Sequence, residues 1–280
     1  MKKIGWLIYN REDAKKNKAY IEWMLAEAKE LNMELQFHYR EDLQIGHRQH
    51  KLFVDFRNEP VAPPAYAIIR TIDPFFTKQL EMLGTVCFNS SFVSEIANNK
   101  AKTHQFLSSL GIPMADTVYC QDSVSVQAHF PFPFIAKEVH GRGGKSVYLI
   151  ENANQLTSLP SGGEWLIQKT AVFGKDVRVF VVGKKIVAAV LRESNSNFKA
   201  NYTLGGTASL YKLSDEETAL IQTIIDAFDF GMVGIDFIFD EKCRFLFNEI
   251  EDVVGSRTLS ALSDINIVRE YLQFIQSHFA

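Results

Sequence analysis

A mixed α/β fold, with an α/β opening followed by a mostly antiparallel stretch, is predicted by three features of this 280-residue sequence. Strand-like and helix-like periods alternate through the first part of the chain. From residue 134 onward, short apolar strands follow one another across glycine-containing turns, the pattern of antiparallel pairing. A capped helix and two further strands, the last carrying acids, follow near the C-terminal end.

In order, Lys3 to Tyr9 reads as a strand, Ala14 to Leu31 as a charged amphipathic helix and Met33 to His38 as a second strand. Residues 39–65 read as a long, partly irregular connection. Tyr66 to Arg70 and Thr85 to Phe88 are two more strands around a helix started by Asp73 as N-cap and Pro74 at its first position. Trp6 and Trp23 belong to the core of this part. Asn89, Ser90 and Ser91 signal one helix that runs to Leu110, where Gly111 and Pro113 stop it.

Strands are expected at 134–137, 146–150, 164–168, 177–182 and 185–191, and the apolar 130–134 segment packs at the start of the first. After a polar loop from Glu193 to Gly206, a capping box at Ser214 to Glu217 opens a helix to Phe230. The last two strands span 232–239 and 244–250.

Composition narrows the function. A formal net charge of -3 gives no overall basic field for a nucleic-acid backbone, so nucleic acid is not an expected partner. Cys87, Cys120 and Cys243 are far apart and outside any CxxC spacing, which fits a reducing cytoplasm better than a disulfide framework. The N-terminus lacks the apolar core and cleavage site of a signal peptide, and no apolar run reaches the ~20 residues that span a bilayer. Membrane insertion is not expected. His47 and His50 read as solvated loop residues, since the other ligands of a zinc site are missing.

Three constellations carry chemistry. Lys137 to Ser146 joins two strands through Gly141, Gly143 and Gly144, next to Lys145. Such a segment lets backbone N–H groups approach a phosphate chain, and it also fits a plain glycine-rich hairpin. It is not a P-loop: Val139 occupies a required glycine position, and a strand follows Ser146. The second constellation is Asp236, Glu249 and Glu251 on successive strands. Glu249 and Glu251 are two apart and share a strand face, with Asn248 and Ile250 on the other. Asp236 lies in an apolar run that should be buried, where a lone carboxylate is heavily penalised. Pairing of these strands would bring three carboxylates together, each pair at 4 Å repelling by about 4 kcal/mol at an effective dielectric of 20. A hard cation such as Mg²⁺ relieves that repulsion; alternatively, the last acids are solvated turn residues. Third, Arg178 and Arg192 interrupt apolar strands, either facing an anionic ligand or serving as structural salt-bridge partners.

Taken in this order, the segments from about residue 89 to 279 resemble the RimK-like branch of the ATP-grasp superfamily. The resemblance implies an N-terminal pre-ATP-grasp domain at 1–88 and an ATP-grasp domain at 89–280, with 113–170 as the smaller ATP-binding lobe and 171–280 as the metal-binding lobe. It implies that Lys100, which follows Asn89-Ser90 and precedes Thr103, and Lys137 contact the phosphates of ATP. Gly141, Gly143, Gly144 and Lys145 would form the mobile loop, with Ser146 where a glycine is usual. Gln168, Lys169 and Thr170 would hold adenine, and Asp176 the ribose hydroxyls. Arg178 and Arg192 would lie toward the transferred phosphoryl group.

Lys199 and Asn201, ahead of Gly205 and Gly206, stand where the family has a basic residue and an asparagine. Asp236, Glu249 and Glu251 take the metal positions for Mg²⁺, with Glu251 in place of the family's asparagine. That extra charge would tighten Mg²⁺ or shift preference toward Mn²⁺. The family's Ser-Ser-Pro-Gly continuation is absent, so substrate identity does not carry over; Ser256 and Arg257 are the candidate substrate contacts.

What the resemblance implies is a cytoplasmic, ADP-forming ligase that joins a small-molecule or peptide carboxylate to an amine through an acyl phosphate, as monomer or homo-oligomer. A phosphotransferase using the same ATP clamp and a nucleotide-binding regulatory module are the alternatives.

Overall fold

The computed structural model describes residues 3–121, 130–144, 146–194 and 206–279. Its first sheet forms from β1 (Ile4–Tyr9), β2 (Glu34–Tyr39), β6 (Tyr66–Ile69) and β7 (Val86–Phe88), all parallel in the order β2-β1-β6-β7. The expected helix after β1 is two, α1 (Arg11–Lys16) and α2 (Lys18–Glu30), broken at Asn17. The expected irregular connection is instead a three-stranded antiparallel sheet of β3 (Leu43–Arg48), β4 (Lys51–Phe56) and β5 (Glu59–Pro60). His50 sits exposed in the first of its turns, while His47, expected in a loop, is an exposed residue of β3 paired with Leu52. This small sheet covers one face of the parallel sheet together with α3 (Pro74–Met82), enclosing Trp6, Ile8, Ile69, Phe76 and Leu80. Asp73 caps α3 through Phe76 N and Pro74 occupies its first turn, as the sequence indicates.

The helix expected over 89–110 is likewise two, α4 (Ser91–Ala97) and α5 (Lys100–Ser109), because Asn99 caps the second by accepting from Lys102 N. A four-stranded antiparallel sheet follows, from β8 (Thr117–Cys120), β9 (Phe134–Glu138), β10 (Val147–Ile150) and β11 (Trp165–Lys169), in the order β10-β9-β11-β8 with α6 (Ala153–Leu156) at its edge. The final sheet is five-stranded and antiparallel: β12 (Lys175–Val182), β13 (Lys185–Glu193), β14 (Thr207–Leu210), β15 (Met232–Phe239) and β16 (Phe245–Glu251), ordered β14-β13-β12-β15-β16. One face packs on α4, α5 and α7 (Asp215–Asp226), whose capping box at Ser214 and Glu217 is present. The chain ends with α8 (Arg257–Leu262) and α9 (Ile267–Ser277).

The last helix decides how the parts sit. Ile267, Val268, Tyr271, Leu272 and Ile275 form one buried stripe on α9, in a core shared by Leu7 and Ile68 of the parallel sheet and by Phe180 and Val182 of β12. Each fully buried side chain of this kind contributes about 1.5–3 kcal/mol, so the N-terminal sheet and the five-stranded sheet are held as one unit. The four-stranded antiparallel sheet instead has a core of its own around Phe134, Ile150, Trp165 and Ile167.

A polar clamp fixes the loop that follows β16. Buried Asn89 reaches the carbonyl oxygens of Met232 and Asp252 and the Asp252 carboxylate at 2.7 Å, while its own oxygen accepts from Gly231 N at 2.6 Å. Asn98 satisfies the second oxygen of buried Asp252 at 2.8 Å. Since each stranded buried group costs ~1–3 kcal/mol, Asn89→Ala is expected to lose at least ~2 kcal/mol of unfolding free energy in urea titrations. A loss below ~0.5 kcal/mol would show that water replaces the clamp.

Candidate active site

A cleft opens between the four-stranded antiparallel sheet and the five-stranded sheet, with Ile135, Val147, Val172 and Ile238 as apolar walls. Its polar groups come from four places. Lys100, at the start of α5, contacts the Gly141 carbonyl and lies 3.7 Å from Glu249 Oε2. Lys137, on β9, is buried and donates to Asn248 Oδ1 at 2.7 Å. Burial pulls its ammonium down to about 8, with Glu249 opposing and Lys100 adding to the effect. The glycine segment supplies Gly141 and Gly144. A Cβ on Gly141 would meet Ser146 Cβ at 2.8 Å, and Gly143 and Gly144 are left-handed at φ 60° and 70°, so the sharp turn needs glycine there.

The five-stranded sheet supplies the ionic floor. Arg178 and Asp236 face each other across β12 and β15, and Asp176 faces Arg192 across β12 and β13. Asp236, 1% exposed, accepts from Arg178 Nε at 2.8 Å and Nη2 at 2.7 Å, and from Arg192 Nη2 at 2.8 Å. Arg192 Nε also donates to Asp176 at 2.6 Å. Burial alone would raise the Asp236 carboxyl, but the two guanidiniums outweigh it and hold the group at about 2. Asp176, which among the described residues has Arg192 as its one direct ion-pair partner, is pushed by burial up to about 6. Arg178 Nη1 also contacts Glu251 Oε2, an ion pair without hydrogen-bond alignment.

β15 and β16 pair as the sequence suggests, but the alternation along β16 fails at one residue. Asp236 pairs with Glu249 and Phe237 with Phe247, so Asn248 is an extra residue on β16. Such a bulge re-aims a side chain. Asn248 therefore joins Glu249 on the cleft instead of pointing to the opposite face, and becomes the partner of Lys137. Beneath it, the His104 ring meets the Asn248 carbonyl at 3.3 Å; burial, with Lys137 nearby, pulls its pKa down to about 4, so it is neutral.

Of the remaining sequence-derived candidates, Gln168 and Lys169 line the cleft, with buried Gln168 turned to Thr117 Oγ1 at 3.2 Å. Gly143 and Thr170 adjoin its lining residues in sequence. Ser256 is buried, and exposed Arg257 donates to Asn17 Oδ1 at 3.2 Å, away from the cleft walls. Lys145, Lys199 and Asn201 lie outside the described residues. Sequence reasoning missed Asn248 and Lys175 on the cleft; the basic neighbour of Asp176 was visible, but nothing in the residue pattern marks a bulge.

Among the described residues, no three acids, histidines or cysteines stand ready as a metal cage. The donor set still fits a hard cation. Asp236 has about four lone-pair sites and uses three, and its cross-strand neighbour Glu249 is 36% exposed with Lys100 as its ion-pair partner.

Residues 97–275 match the family model of the RimK-like ATP-grasp domain. Among curated proteins, the chain is 27% identical over 234 residues to a probable alpha-L-glutamate ligase of Coxiella burnetii, covering 79% of this chain and 77% of that protein. Among solved structures, the RimK domain ATP-grasp protein of Sphaerobacter thermophilus superposes with a TM-score of 0.73 at 16% identity, covering 97% and 98% of the two chains. The ATP-grasp ligase PsnB, solved with a minimal precursor, Mg and ADP, superposes at 0.70 with 15% identity over 99% and 98%.

The floor carries a stability prediction. Arg192→Met leaves buried Asp176 without its partner and Asp236 one donor short, which should cost ~3–5 kcal/mol in chemical denaturation. A cost under ~1 kcal/mol would mean that water reaches these carboxylates.

Proposed function

The chain belongs to the RimK-like ATP-grasp family, and from this we propose that it is an ATP-dependent carboxylate–amine ligase that forms an amide or peptide bond through an acyl phosphate, releasing ADP and phosphate. The observation that carries this reading is the convergence of Lys100, Lys137, Arg192, Asp236 and Glu249, from five different elements, on one cleft with apolar walls.

On this reading the base lies against Ile135, Val147 and Ile238, and the phosphates run toward Lys100 and Lys137 under the glycine segment. Asp236 and Glu249, with Glu251 beside them, would hold Mg²⁺, which supplies neutralising charge to the phosphate chain. Arg178 and Arg192 are held rigidly by carboxylates and present fixed positive charge where the phosphoryl group meets the substrate carboxylate. Positioning and charge neutralisation are most of what phosphoryl transfer asks of a protein. The glycine segment, closing over the cleft, would keep water from the acyl phosphate until an amine displaces phosphate. Lys199 and Asn201 complete the set by the family pattern. Because a curated relative is named an alpha-L-glutamate ligase, L-glutamate is the first amine to offer, with small carboxylates and peptides as the other substrate.

Incubation with Mg²⁺, ATP and such pools should give substrate-dependent ADP together with a new amide mass. A phosphorylated product without an amide would establish a kinase instead. Lys137→Ala and Glu249→Ala are each expected to abolish ATP consumption with an unchanged circular dichroism spectrum, and unimpaired turnover in either removes that residue from the site. The depressed Lys137 adds a pH signature. A bound phosphate favours the charged amine and raises its pKa, so ATP should bind with proton uptake near pH 8 and lose affinity as pH rises through it. Calorimetry in two buffers of different ionisation heat reads this directly; zero uptake in both would show that Lys137 does not face the phosphates.

A further inference from the structure

In the parallel sheet, the chain leaves β1 through α1 and α2 to β2 on one side, whereas β6 leads through α3 to β7 on the other. The switch point therefore lies between β1 and β6, and ligands of open parallel sheets bind outside the carboxyl ends of the strands at such a point. Tyr9 ends β1 there with Asn10 after it, and Arg70 and Thr71 follow the end of β6.

Arg70 is 6% exposed and has no carboxylate partner among the described residues. Its Nε donates to Tyr9 Oη at 3.3 Å and its Nη2 to the Val254 carbonyl at 2.7 Å. A guanidinium carries five N–H donors and stays charged, so three donors and the full charge are left over. Holding one carbonyl needs neither, and a buried charge without a counterion is costly. Independently, Tyr20 stacks its ring 5.4 Å from the same guanidinium and buries its hydroxyl without a hydrogen-bond partner. Ser256 lies close enough to act on that phenol, though not in hydrogen-bond geometry. An unneutralised cation and an unused hydroxyl thus meet at the mouth of the switch point.

We propose that this strand end is a carboxylate subsite: Arg70, assisted by the Tyr20 hydroxyl, binds a substrate carboxylate that is not consumed in the reaction. The assignment rests on the ligase reading for the word substrate. Val254 accepts from Arg70 through its carbonyl, and its side chain lies by Gly234, where an added Cβ would meet Val254 Cγ2 at 2.7 Å and Arg178 Cδ of the ionic floor at 3.4 Å. An amino acid that enters a ligation through its amine keeps its α-carboxylate, the group that such a site would hold.

The test is binding to the full chain, measured by calorimetry with the twenty standard amino acids and their α-amides, each with and without Mg²⁺ and a non-hydrolysable ATP analogue. At least one amino acid should bind, its α-amide at least ~10-fold more weakly. Arg70→Met should lose a similar factor without changing affinity for the nucleotide, and Tyr20→Phe should weaken binding severalfold. Equal binding of the α-amide, wild-type affinity in Arg70→Met, no amino acid bound under either condition, or Arg70-dependent preference for inorganic phosphate would each overturn the proposal. If Arg70→Met does not fold, Tyr20→Phe and the amide comparison decide. Failure of the ligase reading looks different: α-carboxylate binding would persist while no ADP-coupled amide product forms.

Discussion

One buried carboxylate organises the active half of this molecule. Asp236 sits in the middle of an apolar strand, where an unpaired charge would be untenable. Two arginines on two neighbouring strands turn inward to meet it, and the second of them in turn fixes Asp176. The register of β12 against β13 and β15 is thus written in ion pairs as well as in backbone bonds. Every group on the cleft floor is held by another, which leaves the side chains little freedom to lose when a ligand arrives.

The charges nearly cancel. Lys100, Lys137, Arg178 and Arg192 stand against Asp176, Asp236, Glu249 and Glu251, four cations to four anions, with Lys169 and Lys175 at the rim. A triphosphate entering such a cluster cannot rely on a surplus of positive charge on the floor, which is why a divalent cation suits the chemistry. Glu251 contributes to this balance: an asparagine there would leave the floor net positive.

The sequence reveals long, regular elements and the residues that must be charged in apolar surroundings, because both signals are local. Three kinds of feature escape it. The β3–β4 and β4–β5 turns place Gln49, His50, Arg57 and Asn58 at positive φ, without the Asn-Gly or Gly-Gly pairs that normally announce such hairpins. The breaks at Asn17 and Asn99 interrupt patterns that read as continuous helices, since capping asparagines look like ordinary polar residues on an exposed face. The Asn248 bulge is set by pairing with β15, information that no strand carries alone. Arg70 is silent for the same reason: an arginine at the end of a strand becomes unusual only when the fold surrounds it with tyrosines and withholds an acid.

The four-stranded antiparallel sheet closes on its own core, and what joins it to the floor is largely polar: Lys100 N to Val139 O at 3.1 Å, Phe247 N to Pro113 O at 2.8 Å, and the side-chain links from Lys100 to Gly141 and from Lys137 to Asn248. Two of these four tethers end on the ammonium groups that a nucleotide would claim. A ligand that takes over these lysines would exchange its own phosphates for two of the four bonds that join the sheet to the floor.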